Sequence, residues 1–168
     1  MNRRTLLRRG LLGGVLLAVG GGVTLQLLPS RQVAPRGKLR ALDGKTFSVM
    51  AAVASRVVPS GDPVAIAHGA DEALSYLAPE TQAEIRQLLG LFESAIAGAL
   101  LDGRLAPFSA ASPAAQDRTL ARWRDSSITL RRSGYNALRK LALGAHWVQP
   151  STWPDAHYPG PPPLPKEL

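Results

Sequence analysis

The stretch that decides the fold is residues 127–148, "SITLRRSGYNALRKLALGAHWV". Apolar side chains recur in it at intervals of three and four residues, and this period predicts one amphipathic helix. The positions expected to face inward are Ile128, Tyr135, Leu138, Leu141 and Ala145. Across the chain, 45% of the residues are hydrophobic but only 5% are aromatic. Alanine and leucine dominate, and because such a composition favours helices over sheets, we predict an all-α fold.

Two further helices are expected directly upstream. Ser112 and Pro113 start the nearer one, which runs to about Asp125, because proline is tolerated at a first helical position. Its inward residues are expected to be Leu120 and Trp123, with Ala114, Ala115 and Ala121 in support. The longest helix is predicted over residues 79–103, "PETQAEIRQLLGLFESAIAGALLDG", which carries a broad apolar stripe. The stripe consists of Ile85, Leu88, Leu89, Phe92, Ile96 and Leu100.

Two earlier helices complete a compact bundle of about five. Asp43 and Asp62 precede them as expected N-caps, since an aspartate side chain accepts bonds from the first free N–H groups of a helix. The residues expected to face the core are Phe47, Met50, Ala54 and Val57 in the first helix and Ile66, Ala70, Ala73 and Leu77 in the second. We divide the chain into a leader (1–30), a linker (31–41), a helical domain (42–148) and an extended, proline-rich C-terminal arm (149–168).

The leader opens with "MNRRTLLRRG", in which Arg3 and Arg4 are followed after one residue by Leu6, Leu7 and Arg8. This arrangement resembles the twin-arginine export signal. The next uncharged stretch, residues 11–28, would form a helix of about 27 Å at about 1.5 Å per residue, close to the thickness of a bilayer. An ordinary signal-anchor that obeys the positive-inside rule is the alternative.

Cleavage of the leader is left open by the sequence. No Ala-x-Ala motif precedes the domain, and Val33–Ala34 is only a loose match to a cleavage site. A retained leader would be a signal or transmembrane helix that tethers the domain to the membrane. In either case we expect the protein on the periplasmic side of the bacterial inner membrane.

Residues that could support catalysis are sparse. The chain has no cysteine, which excludes thiolate catalysis and cysteine-bound metals. His68, His146 and His157 are too scattered for a metal pair on one helix, and the adjacent acids Asp71 and Glu72 point apart on theirs. The formal charge of +8 includes four leader arginines, and from residue 31 onward 16 basic residues face 12 acidic ones. We therefore expect neither an enzyme, nor a cofactor or metal in this chain, nor nucleic-acid binding.

The arm carries the residues most suited to binding a partner. Large aromatic side chains on a proline-stiffened segment lose little conformational entropy when they dock. The expected partner-binding residues are Trp147, Trp153, Tyr158, Pro159, Gly160 and Pro161. The alternative is that the arm folds back and its aromatic rings complete the core of the chain's own helices.

The order of several segments resembles the gluconate 2-dehydrogenase subunit 3 family over about residues 40–162. They are "VASRVVPSGD", "GADEALSYL", "FSAASPAAQDRTLARWRDS" and "YNALRKLALGAHWVQPSTWPDAHYPGP". The most specific parts are Val57-Val58-Pro59 with Gly61, the series Phe108, Ser109, Gln116 and Trp123, and Trp153 with Tyr158-Pro159-Gly160-Pro161. The short linker and the extra prolines Pro162, Pro163 and Pro165 depart from the family pattern.

The resemblance implies a non-catalytic small subunit. In that family a large subunit of the glucose–methanol–choline oxidoreductase type holds FAD and oxidises a sugar or sugar acid, and a cytochrome subunit, where present, takes the electrons. The small subunit carries the export signal and escorts the folded large subunit. The alternative is a membrane-tethered helical structural or binding protein without a redox partner.

Overall fold

The computed structural model describes residues 29–161, and all regular structure in that range is helical. Six α-helices are followed by two short 3-10 turns, Pro150–Thr152 and Pro154–Ala156. No strand occurs among these residues, so the predicted all-α class is confirmed for them. The helices are α1 (Gly44–Val57), α2 (Pro63–Ser75), α3 (Pro79–Glu93), α4 (Ala95–Asp102), α5 (Pro113–Arg124) and α6 (Thr129–Trp147).

The predicted helix starts are confirmed in detail. Asp43 accepts the Thr46 N–H at 2.8 Å, and the Thr46 hydroxyl accepts the Asp43 N–H in return, which closes a capping box. Asp62 accepts the Val64 N–H at 2.9 Å at the start of α2. Prolines occupy the first positions of α2, α3 and α5, where the missing N–H costs no helical bond.

The prediction of a single helix over residues 79–103 is wrong, because the helix is interrupted at Ser94. This residue has an extended backbone (φ −60°, ψ 119°) and serves as the C-cap of α3 and the N-cap of α4. The preceding Glu93 is buried, and its carboxylate accepts the N–H of Ser109 at 2.9 Å and the hydroxyl of Ser109 at 2.7 Å. This tertiary contact accompanies the break, and residues 29–161 therefore contain six α-helices instead of about five.

The core is centred on α1, which packs against α2, α3, α5 and α6. Phe92 lies between two other aromatic residues of the core, because its ring is 4.3 Å from that of Trp123 and 5.4 Å from that of Phe108. Such offset and edge contacts stabilise aromatic clusters beyond their area alone. The largest fully buried side chains are Phe47, Phe92, Phe108, Met50, Ile66, Leu74, Leu89, Leu138, Val49 and Val53.

Most of the predicted inward faces are confirmed, but five residues are exposed instead, among them Ala114 in the first turn of α5. Ala73 is exposed because α2 buries Ile66, Ala67, Ala70, Asp71 and Leu74. Leu77 lies beyond the end of α2, and Ile128 is the N-cap residue ahead of α6. Leu100 is 75% exposed because the break at Ser94 starts a new helix with its own orientation.

The predicted linker is docked along the helices. Its backbone N–H groups donate to side chains of the domain: Arg31 to Ser109 Oγ at 3.1 Å, Val33 to Ser48 Oγ at 3.0 Å and Arg36 to His68 Nε2 at 2.9 Å. Arg40, Ala41 and Leu42 donate to the carboxylate of Asp71. We call residues 30–42 the strap.

The leader, with its predicted membrane-spanning helix, lies outside the described residues. Within residues 29–161, no helix is both long enough and apolar enough to cross a membrane.

Candidate partner-binding surface

The arm is anchored to the C-terminal end of α6. The last carbonyls of a helix have no partner within the helix and must bond elsewhere. Gln149 Nε2 donates to the Ala145 carbonyl at 2.9 Å, and the Thr152 hydroxyl donates to the His146 carbonyl at 3.1 Å. Trp153 Nε1 donates to the Trp147 carbonyl at 3.2 Å. Three arm side chains therefore cap the helix and fix the direction in which the arm leaves it.

The arm then closes on itself around Trp153. The Tyr158 N–H donates to the Trp153 carbonyl at 3.0 Å, and the two rings meet edge to face at 5.4 Å. Gly160 has a φ of +103°, and a Cβ at that position would lie 3.0 Å from the Trp153 ring. The predicted extended arm is thus wrong for residues 150–156, which form the two 3-10 turns. Pro159 and Pro161 lie exposed on either side of Gly160.

Three apolar side chains at the end of α6 and in the arm are exposed. Trp147 is 44% exposed, Val148 69% and Tyr158 46%. We call these three residues the aromatic surface. The Trp147 ring also meets the ring of the buried His146 at 4.8 Å. Of the two alternatives left open by the sequence, the structure shows the arm folded back, with Thr152 buried and Trp153 half-buried. Trp147 and Tyr158 are exposed, and their binding to a partner stays a prediction.

A groove of about 420 Å³ lies beside the aromatic surface. Val148, Gln149 and Pro150 line one part of it, and Lys38 and Arg40 of the strap line another. The remaining lining comes from α2: Ala65, His68, Gly69, Asp71 and Glu72. Arg40 and Glu72 form an exposed ion pair at 3.0 Å within this lining. The groove therefore presents charges of both signs next to exposed apolar side chains.

Asp71 holds the strap that forms part of the groove. The residue is 2% exposed, and its two carboxylate oxygens accept the backbone N–H groups of Arg40, Ala41 and Leu42 at 2.7 to 2.9 Å. The sequence indicated that Asp71 and Glu72 make a poor carboxylate pair, but it did not indicate this role of Asp71. An acidic residue within a helix gives no sequence signal of a hydrogen bond to a distant backbone segment.

The three histidines have separate surroundings. His68 accepts the Arg36 N–H through Nε2 at 2.9 Å, and its ring packs 4.9 Å from that of Phe47. His157 has a left-handed backbone with φ 51° at the end of the second 3-10 turn. Between residues 29 and 161, no group of three or more potential metal ligands is present.

The series Phe108, Ser109, Gln116 and Trp123 is brought together by the fold. All four are buried, and Gln116 Nε2 donates to the Phe108 carbonyl at 2.9 Å. Gly61, which belongs to the motif that begins with Val57-Val58-Pro59, is closely packed, since a Cβ there would lie 2.7 Å from Ile66 Cδ1. These motif residues therefore act in packing, whereas the terminal motif forms the exposed arm.

The predicted export residues Arg3, Arg4, Leu6, Leu7 and Arg8 lie outside the described part of the chain. Searches of protein-family models, curated proteins and solved structures found no match to this chain.

Proposed function

We propose that this chain is the non-catalytic small subunit of an exported FAD-dependent dehydrogenase complex. It binds a large flavoprotein of the glucose–methanol–choline type and escorts it through the twin-arginine pathway to the periplasmic side of the inner membrane. FAD belongs to the partner in this proposal, and a cytochrome subunit is a further partner where one is present. The resemblance to the gluconate 2-dehydrogenase subunit 3 family supplies the identity of the partner.

The observation that carries the proposal is the aromatic surface. Trp147 and Tyr158 are the residue types that dominate binding energy at protein interfaces, and both stand on a backbone already fixed by hydrogen bonds. A preorganised backbone lowers the entropic cost of association. The adjacent groove adds Lys38, Arg40 and Glu72, whose charges can select a complementary partner surface.

The export step follows from the leader. Twin-arginine export carries folded proteins, so a flavoprotein without its own signal can bind FAD in the cytoplasm and cross as a complex. The described domain holds its strap against α1 and α2, so the leader is joined to a folded body by a docked segment.

Co-purification from native membranes tests the binding step. Wild-type chain should retain an FAD-containing subunit, and Tyr158→Ala should weaken retention by roughly 30-fold, as expected for about 2 kcal/mol at an interface centre. Tyr76→Ala is the matched control, because Tyr76 is also an exposed tyrosine and lies at the end of α2. Retention unaffected by Tyr158→Ala together with Trp147→Ala would remove the aromatic surface from the proposal.

The export step has its own test. Replacing Arg3 and Arg4 by lysine should leave the flavoprotein's activity in the cytoplasm, whereas Arg9→Lys, outside the motif, should not. If no flavoprotein co-purifies with the wild-type chain, the alternative of a membrane-tethered binding protein without a redox partner takes its place.

A further inference from the structure

The strap holds the candidate cleavage site of the leader against the folded domain. The bond between Val33 and Ala34 is the loose match to a cleavage site in the sequence. The Val33 N–H donates to Ser48 Oγ of α1 at 3.0 Å, and the Arg31 N–H donates to Ser109 Oγ at 3.1 Å. The bond therefore lies inside a docked segment and not in a free linker.

The residues around this bond alternate in burial. Val33 is half-buried and packs against the hydrophobic core, whereas Gln32 and Ala34 on either side of it are exposed. Such alternation is typical of a chain in an extended conformation. Further along, the Arg36 N–H donates to His68 Nε2 at 2.9 Å. The domain thus holds the strap on both sides of the Val33–Ala34 bond.

The two hydroxyl groups that accept from the strap are fixed by the domain. Ser48 is 2% exposed, and its hydroxyl donates to the Gly44 carbonyl at 2.7 Å. The Ser109 hydroxyl donates to the buried Glu93 carboxylate, also at 2.7 Å. A hydroxyl that has donated its one proton can still accept through its lone pairs. Each serine therefore presents a preformed acceptor to the backbone of the strap.

Proteolysis requires the same groups that the domain already uses. An endoprotease binds its substrate as an extended strand, through main-chain hydrogen bonds at alternate residues and a pocket for the side chain before the scissile bond. For a cut after Val33, these groups are the N–H groups of Arg31 and Val33 and the side chain of Val33. All three contact the folded domain. The strap must therefore leave the domain before this bond can be cut.

We propose that the docked strap shields the Val33–Ala34 bond from proteolysis, so that this bond stays intact in the mature protein. Twin-arginine export carries folded proteins, so the shield is in place before the chain meets a protease on the periplasmic side. The inference takes this setting from the export step of the proposed function, but it does not depend on the flavoprotein.

Limited proteolysis of the full-length chain tests the shield. Elastase is the probe, because its small specificity pocket selects small apolar residues before the scissile bond. Mass spectrometry identifies the cut at Val33–Ala34, and a synthetic peptide of residues 29–42 gives the rate for the unprotected bond. Ser48→Ala removes the acceptor of the Val33 N–H. Ser55→Ala is the matched control, since Ser55 lies on the same helix and its hydroxyl donates to the Ala52 carbonyl at 2.8 Å.

We expect the folded chain to be cut at this bond about 100-fold more slowly than the peptide, because cleavage follows the population of the open strap and opening breaks several hydrogen bonds together. Ser48→Ala should raise the rate about fivefold, the effect of one lost hydrogen bond, and Ser55→Ala should leave it unchanged. A wild-type rate within about threefold of the peptide's would overturn the proposal. Equal rates in Ser48→Ala and the wild type would also overturn it. The comparison of wild type with peptide holds even where Ser48→Ala fails to fold.

The exported protein gives a second measurement. The intact mass of the chain isolated from membranes should correspond to an N-terminus before Val33, and a chain that begins at Ala34 would contradict the proposal. A chain that is not exported would count against the export step of the proposed function, and the elastase experiment then decides the shield by itself.

Discussion

At the scale of single residues, one buried carboxylate determines the path of the chain into the domain. Asp71 accepts three backbone N–H groups, and it faces the strap while the neighbouring Glu72 pairs with Arg40 in solvent. Hydrogen bonds to a charged acceptor contribute more to stability than bonds between neutral groups. Removing the Asp71 carboxylate would also leave partly buried N–H groups without an acceptor.

Asp71→Asn should therefore destabilise the domain by about 2 kcal/mol, because an NH2 group, which cannot accept a hydrogen bond, replaces one of the two accepting carboxylate oxygens. Glu72→Gln is the control, since an exposed ion pair such as Arg40–Glu72 contributes about 0.5 kcal/mol. Urea denaturation followed by circular dichroism measures both. Equal effects of the two substitutions would show that Asp71 does not hold the strap.

At the scale of helices, close packing depends on small residues at crossing points. Gly134 of α6 lies against α3 and α5, where a Cβ would come within 2.9 Å of Leu88 Cδ1 and 3.0 Å of the Trp123 ring. Gly144, in the same helix, has nothing within 4 Å of the corresponding position. The two glycines therefore differ in packing while they share one helical backbone.

Gly144→Ala should stabilise the domain by about 0.5–1 kcal/mol, the usual gain of alanine over glycine inside a helix. Gly134→Ala should destabilise it by about 1–2 kcal/mol, because the buried Trp123 ring is held against Phe92 and cannot shift freely. Thermal unfolding of both variants measures the difference. A gain at both positions would mean that α6 is less tightly packed than the structure shows.

At the scale of the whole molecule, the caps make unfolding dependent on pH. Partial desolvation raises the pKa of Asp43, but hydrogen bonds from the backbone and side chain of Thr46 outweigh it and hold the pKa below its ordinary value of 3.8. For Asp62, slight desolvation is likewise outweighed by the Val64 N–H and by Arg36, whose guanidinium lies 2.7 Å away, and its pKa is lowered too. Both carboxylates stabilise the fold in their charged form.

Below about pH 4 the unfolded chain binds more protons than the folded chain at these two sites, so stability falls as the solution becomes more acidic. We expect these two carboxylates to leave the unfolding temperature of the domain almost unchanged above pH 5. Between pH 5 and pH 3 their protonation should lower it. Asp43→Asn keeps a capping side chain but removes the charge, so this variant should lose less stability than the wild type when the pH is lowered. An identical pH profile for this variant and the wild type would refute the role of Asp43.

The sequence by itself determined the local features of this protein: the helical class, the caps at Asp43 and Asp62, the prolines that open helices and the aromatic residues of the arm. These features depend on residues within a few positions of one another, so the helical period and the capping hydrogen bonds can be predicted from the sequence. Only the tertiary structure decided the break at Ser94, the docking of the strap on Asp71 and the exposure of Leu100 and Leu105. The break is accompanied by the contact of Glu93 with Ser109, and the strap is held by the contact of Asp71 with Ala41, which are residues distant in the sequence. The energy of such a contact, like the exposure of a side chain, depends on how the helices pack and cannot be read from the local sequence.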